Sequence, residues 1–372
     1  MLSKRRIAKA DGRYLFFYFS GRRPRVSARA GLLSRAGKAA EPSLAAAGAL
    51  ELRWNPLLDE WVIVASERQE RTFLPPAQYC PLCPTRDPDV PTEVPAPDYE
   101  IVVFENRFPS LRRGAPPPPQ PPHFYRSAPA RGGCEVVLYS PRHDATLAEM
   151  PVAHIRRLVE VWTDRYRELG KRRDVDYVFI FENRGPEIGV TLTHPHGQIY
   201  AFPYLPPRVE RELLVAEGHW RQTGACLFCE VLARELDSGE RLVSQNEAFV
   251  AFVPYFARLP YEVHILPRRH RTSLVDLTAG ERGELARILK TVLLKYDNLW
   301  DLQMPFTMVM HQQPTDGREH PGCHFHIEFA PIFRSPGRLK YLAGCETGAG
   351  TFINDTVPEE KAEELRWAEP RT

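Results

Sequence analysis

Among its 372 residues the chain has seven cysteines and twelve histidines, and their spacing points to metal and phosphoryl chemistry. Four cysteines form two Cys-x-x-Cys pairs, Cys80/Cys83 and Cys226/Cys229. One tight turn of that form presents two thiolates, half of a tetrahedral zinc site. An odd cysteine count with this pairing favours reduced metal ligands over a disulfide framework. Cys134, Cys323 and Cys345 are then expected as buried thiols. Histidines follow each pair in matching order, so the expected zinc sets are Cys80, Cys83, His143, His194 and Cys226, Cys229, His270, His324. A rival set for the second metal is Glu212, His311, His324 and His326, whose nitrogen and oxygen donors suit iron or zinc. Cys226 and Cys229 have no other evident task, which favours two zinc ions per chain.

The segment Thr193-His194-Pro195-His196-Gly197-Gln198 is the most reactive combination in the sequence. In a strand, residues two apart point to one side, so His194 can hold a metal while His196 attacks an electrophile. A neutral imidazole is a competent nucleophile at phosphorus once a hydrogen bond to its other nitrogen sets the tautomer. Gln198 would donate to phosphoryl oxygens as charge builds on them, and Gly197 lets a phosphate approach the backbone.

These residues sit in an internal duplication. The order in the first copy is Cys80-x-x-Cys83, Pro141-Arg142-His143, a helix, a strand and His194-Pro-His196. The second copy reads Cys226-x-x-Cys229, Pro267-Arg268-Arg269-His270, a helix, a strand and His324-Phe-His326. Ile155, Leu158, Val159, Trp162 and Tyr166 share a helical apolar spacing with Leu285, Ile288, Leu289, Val292 and Tyr296. Strands are expected over Tyr177–Glu182 and Phe306–His311. Helices that follow hairpins, rather than alternating βαβ units, predict an α+β fold of two tandem repeats, each an antiparallel sheet with packed helices. The expected division is a basic N-terminal extension over 1–48, a catalytic repeat over 49–215 and a second repeat over 216–372.

Residues 1–48 carry eleven Lys/Arg against Asp11 and Glu41, leaving 38 basic and 45 acidic residues in the rest. That acidic body lacks the basic face of a nucleic-acid binder, and no apolar run reaches the roughly 18 residues of a membrane span. The Arg-rich opening has the composition of a transit peptide, although Lys9–Arg13 followed by an apolar run reads instead as turn plus strand. Ala115–Pro122 holds six prolines and is expected as an exposed polyproline-like loop.

The run His194-Pro195-His196-Gly197-Gln198-Ile199-Tyr200 closely resembles the active-site signature of the galactose-1-phosphate uridylyltransferase family, a branch of the histidine triad superfamily. The resemblance extends from Leu52-Arg53-Trp54-Asn55-Pro56-Leu57 to Gly344-Cys345-Glu346. Ala10-Asp11-Gly12-Arg13 and Phe352-Ile353-Asn354-Asp355 are similar to bacterial members, which argues against a transit peptide and for a cytoplasmic enzyme. It implies a ping-pong reaction of galactose metabolism, the Leloir pathway. His196 takes UMP from UDP-glucose, releases glucose 1-phosphate, and passes UMP to galactose 1-phosphate to give UDP-galactose.

By the same resemblance Arg68 and Arg71 contact phosphate, Asn106 and Asn183 the nucleotide, Thr191 and Gln198 phosphate, and Lys340 and Glu346 the sugar. It implies a homodimer and gives Glu212, His311, His324 and His326 counterparts in iron-containing members. Three features depart from well-known members: Arg107 replaces an acidic residue, Cys345 an aromatic one, and Cys226/Cys229 is similar to plant relatives that phosphorolyse ADP-glucose. Such a nucleotide-sugar phosphorylase or adenylyltransferase is the alternative reading.

Overall fold

Part of the basic N-terminal stretch folds into a hairpin: β1 (Ser3–Ala8) pairs antiparallel with β2 (Tyr14–Phe19) across a turn closed by Lys9 and Arg13. Gly12 takes φ 84° in that turn, a left-handed value that suits glycine. Alternation buries Leu15 and Phe17 of β2, while Lys4 and Arg6 of β1 stay outward over the Phe16, Tyr18 and Tyr14 rings. Charges on an edge strand discourage pairing with another chain. The structure is a computed structural model that describes residues 2–26 and 49–369, so residues 27–48 of the expected extension lie outside the described residues.

The chain divides into two compact units, the first made of Met1–Ala145, Leu169–Val178 and Thr191–Pro207. Here β3 (Leu50–Asn55), β4 (Glu60–Ala65) and β6 (Ser127–Pro129) form a small sheet. The larger antiparallel array runs β1-β2, then β5 (Ile101–Glu105), β7 (Gly133–Leu138) and β9 (His196–Phe202). Ala115–Pro122 has no helix or strand, and its more buried positions recur at Ala115, Pro118 and Pro121. That period of three is the turn of a polyproline II helix.

The second unit is made of Thr146–Glu168, Phe179–Val190 and Arg208–Thr372. Most of β8 (Tyr177–Arg184) lies here, beside β13 (Phe306–His311), β14 (His326–Pro331), β12 (Val263–Pro267), β11 (Phe249–Phe252) and β10 (Leu242–Gln245), all antiparallel. Its longest helices are α1 (Val152–Gly170), α2 (Pro207–Thr223), α3 (Leu227–Ser238) and α4 (Ala279–Leu299). The apolar stripes expected on α1 and α4 are both buried, Ile155 through Tyr166 and Leu285 through Tyr296. Each such side chain contributes about 1.5–3 kcal/mol on burial. Thr278 and Glu281 cap α4 reciprocally, a capping box. The linear division at 215/216 follows chain order, but the compact units do not. Helix α1 and most of β8 cluster with later elements, as when Lys290 Nζ donates to Met150 O at 2.7 Å. Among the described residues no helix is long and apolar enough to cross a membrane.

Candidate active site and metal centres

Strand β9 presents the reactive face. Its alternate residues His196, Gln198, Tyr200 and Phe202 are half-buried, while Gly197, Ile199 and Ala201 are buried on the other side. Register with β7 is held by the pairs Leu138–His196, Val136–Gln198 and Cys134–Tyr200. The Nδ1–H of His196 donates to the carbonyl of His194 at 2.7 Å. A carbonyl can only accept, so the proton belongs to Nδ1 and the lone pair to Nε2. Burial lowers the His196 pKa below its ordinary value of 6.5, against the hydrogen bond to His194 O, and keeps the ring neutral at pH 7. A neutral ring with an unprotonated Nε2 is a nucleophile.

Behind this strand Cys80, Cys83, His143 and His194 offer four donor atoms that all lie within 4.8 Å of one another. Cys83 Sγ is 3.4 Å from His143 Nδ1 and 3.6 Å from His194 Nδ1. A tetrahedron with zinc–sulfur and zinc–nitrogen arms has edges of about 3.3–3.8 Å, so the group fits zinc. Burial beside Cys80 pushes the Cys83 thiol up to about 12, and metal binding would have to release that proton. The turn is shaped by Thr92, which donates to Cys83 O at 2.6 Å.

Arg68 enters the same unit from a short helical turn, Ser66–Glu70, and donates to Phe108 O at 2.9 Å and Tyr200 Oη at 3.4 Å. Arg71 donates its Nε to Arg68 O at 3.0 Å. Burial and then the Arg68 charge lower the Arg71 pKa; two adjacent cations of this kind are relieved by an anion. Asn106 shapes the loop after β5, its Oδ1 accepting from Phe108 N at 2.9 Å. Thr191 anchors Leu74 N through its carbonyl at 2.8 Å.

In the second unit Asn183 shares the half-buried face of β8 with Phe179 and Phe181, whose rings stack 5.3 Å apart. The sequence reading missed this aromatic pair, although the i, i+2 spacing was legible. Lys340 and Glu346 form an ion pair at 2.9 Å, and that hydrogen bond holds Glu346 down at about 2. Cys345 is only half-buried, not the buried thiol expected, whereas Cys134 and Cys323 are buried.

In the same unit the two expected sets are separate groups rather than rivals for one metal, and a third cluster, Glu262, His264 and Glu328, shares Glu328 with one of them. Cys226, Cys229, His270 and His324 converge, with His324 Nδ1 at 3.5 Å from Cys226 Sγ and 3.4 Å from Cys229 Sγ, and His270 Nδ1 at 3.7 Å from Cys229 Sγ. These edges also fit zinc. The hydrogen bond from Cys229 pulls the Cys226 thiol down to about 3.

The second group is Glu212, His311, His326 and Glu328. The expected oxygen and nitrogen set is therefore corrected at one place: Glu328 takes the position assigned to His324, because His324 turns its Nδ1 to the thiols. His311 Nδ1 lies 2.8 Å from Glu212, and His326 Nε2 lies 3.7 Å from Glu212 and 3.6 Å from Glu328. Burial opposes it, yet His311 and His326 hold Glu212 down at about 2.

His326 is the positional twin of His196 and makes the same bond, Nδ1–H to the carbonyl two residues back, at 2.9 Å. Its environment is opposite. Only 1% of it is exposed, its Nε2 faces two carboxylates, and Glu212 and Glu328 raise its pKa against the cost of burial. The residue in the place of Gln198 is Glu328, paired with Arg208 and with Arg258 at 3.1 Å. The two carboxylates therefore favour the protonated ring in this copy, whereas burial disfavours it in the first.

Known proteins match both halves. The family model for the galactose-1-phosphate uridyl transferase N-terminal domain matches residues 43–206, and that for the C-terminal domain residues 213–370. A galactose-1-phosphate uridylyltransferase of Thermotoga maritima is 44% identical over 322 residues, covering 86% of this chain and 99% of the relative. A solved uridylyltransferase is 36% identical with a TM-score of 0.76, covering 86% of this chain and 98% of its own. An ADP-glucose phosphorylase from Arabidopsis thaliana shares the fold at TM-score 0.64 and 24% identity, covering 85% of this chain and 97% of its own. On the family models and the identity across nearly whole relatives, the chain belongs to the galactose-1-phosphate uridylyltransferase family.

Proposed function

We propose that the chain is a UDP-glucose–hexose-1-phosphate uridylyltransferase that moves UMP from UDP-glucose to galactose 1-phosphate through uridylyl-His196. The observation that carries this is the His196 Nδ1–H bond to His194 O at 2.7 Å, which leaves Nε2 as the attacking atom. In the first half-reaction Nε2 bonds to the α-phosphorus, the bond from that phosphorus to the bridging oxygen breaks, and glucose 1-phosphate leaves. The ring becomes a cationic N-phosphoryl imidazole: the proton stays on Nδ1, still donated to the carbonyl of His194. Gln198 donates to the non-bridging oxygens, and Arg68 and Arg71 offset phosphate charge. In the second half-reaction a phosphate oxygen of galactose 1-phosphate displaces the imidazole and UDP-galactose departs. That oxygen is already ionised, so no external base is needed.

Zinc, when bound to Cys80, Cys83, His143 and His194, would supply a rigid cross-link beneath His196 rather than a reacting group. Zinc at Cys226, Cys229, His270 and His324 makes two per chain. The separate Glu212–His311–His326–Glu328 group has donors suited to iron or zinc. A cytoplasmic homodimer completes the proposal.

Intact mass after incubation with UDP-glucose and no acceptor tests it. Wild-type protein gains one UMP, and folded His196→Gly gains none. An adduct in that variant sinks the mechanism. ADP-glucose run in parallel separates the uridylyltransferase from a phosphorylase, which would favour the adenine nucleotide.

A further inference from the structure

The two copies differ in what lies behind their first histidine. In the first unit both ring nitrogens and the carbonyl of His194 have a task. Its Nδ1 faces the thiols, 3.6 Å from Cys83 Sγ. Its carbonyl takes the Nδ1–H of His196 at 2.7 Å. Its Nε2 lies 2.8 Å from Ser140 O and 3.0 Å from the hydroxyl of Tyr99. That hydroxyl donates its own proton to Ser140 O at 2.8 Å and lies 3.4 Å from the carbonyl of Leu82, inside the Cys80–Cys83 turn.

In the second unit His324 faces its thiols in the same way, and its carbonyl takes the Nδ1–H of His326 at 2.9 Å. Its Nε2, however, is buried without a hydrogen-bond partner among the described residues. Nothing there does what Tyr99 does. The tie to the far nitrogen thus exists only in the copy whose following histidine has a free lone pair.

Proton accounting gives the tie its consequence. The one hydroxyl proton of Tyr99 goes to Ser140 O, so its oxygen can only accept from His194. Ser140 O likewise only accepts. Together they demand that Nε2 of His194 carries the proton, which leaves Nδ1 as the lone pair turned to the thiols. Tyr99 is 6% exposed and packs among Cys80, Leu82, Val94, Ala96 and Leu138, so its hydroxyl is held and not swinging.

We infer that Tyr99 is a positioning residue for UMP transfer: by holding the ring of His194 it holds the carbonyl that sets the tautomer and aim of His196. The inference rests on the uridylyl-His196 reading. Partners of metal-bound histidines are typically worth about 10–100-fold in metal affinity or activity. Tyr99 shares its task with Ser140 O, which places its effect near the lower end.

The test is Tyr99→Phe, which keeps the ring and removes only the oxygen, beside Tyr296→Phe as control. Tyr296 is also buried and donates to Tyr261 O at 2.7 Å, away from any histidine of the site. Single-turnover UMP adduct formation at saturating UDP-glucose is measured on zinc-loaded protein, with zinc affinity from chelator competition and ¹⁵N NMR of the histidine rings. For Tyr99→Phe we expect adduct formation slowed about tenfold, zinc bound less tightly by a similar factor, and a His196 ring that samples both tautomers. Tyr296→Phe should lose thermal stability and keep the wild-type rate. Replacing Tyr99 by 4-aminophenylalanine, which donates and accepts at the same place, should restore much of the rate.

A wild-type rate in zinc-loaded Tyr99→Phe overturns the inference, as does an equal loss in Tyr296→Phe. Should Tyr99→Phe not fold, the wild-type spectrum decides: a His194 ring protonated on Nδ1 overturns it, and one protonated on Nε2 supports it. Absence of any adduct on wild-type protein would instead count against the transfer mechanism itself.

Discussion

Substitutions at Gln198 test whether strand β9 performs transfer as proposed. Gln198 lies two residues beyond His196 on the same half-buried face, paired in register with Val136. Two residues of strand place its Cα about 6.6 Å along from that of His196, and both side chains project from the same face. Gln198→Ala removes one transition-state donor, a loss of about 2.7–4 kcal/mol or roughly 10²–10³ in rate. Gln198→Glu imitates the second copy, where Glu328 stands at this place. It loses the donor and adds a like charge worth about 4 kcal/mol at 4 Å with an effective dielectric constant near 20. In the second copy Arg208 and Arg258 compensate Glu328. In the first copy Arg68 and Arg71 partly screen the added charge, so about 1.4 kcal/mol or more should remain, at least a further tenfold. The assay is single-turnover adduct formation with UDP-glucose, followed by mass spectrometry and rapid quench. The expected order is wild type, then Ala, then Glu, with Glu recovering toward Ala as pH falls and its carboxyl protonates. An Ala variant within fivefold of wild type, or a Glu variant faster than Ala, refutes the assignment.

The lowered pKa of His196 sets a pH dependence for the first half-reaction. Only the neutral ring attacks, so the rate should stay level as pH falls through 6.5, the ordinary histidine value, and decline only below it; half-maximal rate above 6.5 would contradict the burial argument. His326→Ala should leave the adduct at one UMP per chain, since His326 Nε2 is buried between Glu212 and Glu328; two UMP on wild-type protein, or none on the folded and metallated variant, would show the asymmetry to be misread. Elemental analysis should find about two zinc per chain. Cys80→Ser should lose one zinc and most adduct formation, and Cys226→Ser one zinc and stability but little chemistry. Metal above two per chain that survives Cys226→Ser and disappears in Glu212→Ala would belong to the Glu212–His311–His326–Glu328 group.

Much of the candidate site is local in sequence, and that part was legible. Cys-x-x-Cys places two thiols on one turn whatever surrounds it, and His194, His196 and Gln198 share a strand face by backbone geometry alone. The stripes of α1 and α4 were legible for a similar reason, because helical period converts spacing into a buried face. Duplication then supplied long-range information that spacing lacks, since matched landmarks paired each Cys turn with its histidines.

Only the tertiary structure decided the rest. His324 and His326 both lie near carboxylates and thiols along the chain, and residue type does not say which ring turns to which. His324 precedes β14 and meets Cys226 and Cys229 at the start of α3, while alternation along β14 sets Glu328 on the same side as His326. The fate of α1 was equally hidden. It follows the first metal turn in sequence, yet packs with the second unit, because burial rewards any complementary apolar face and not the nearest in chain order. Tyr99 is the sharpest case: one tyrosine among fourteen, with no motif around it, acquires a role only because folding brings its hydroxyl to 3.0 Å from a histidine 95 residues away.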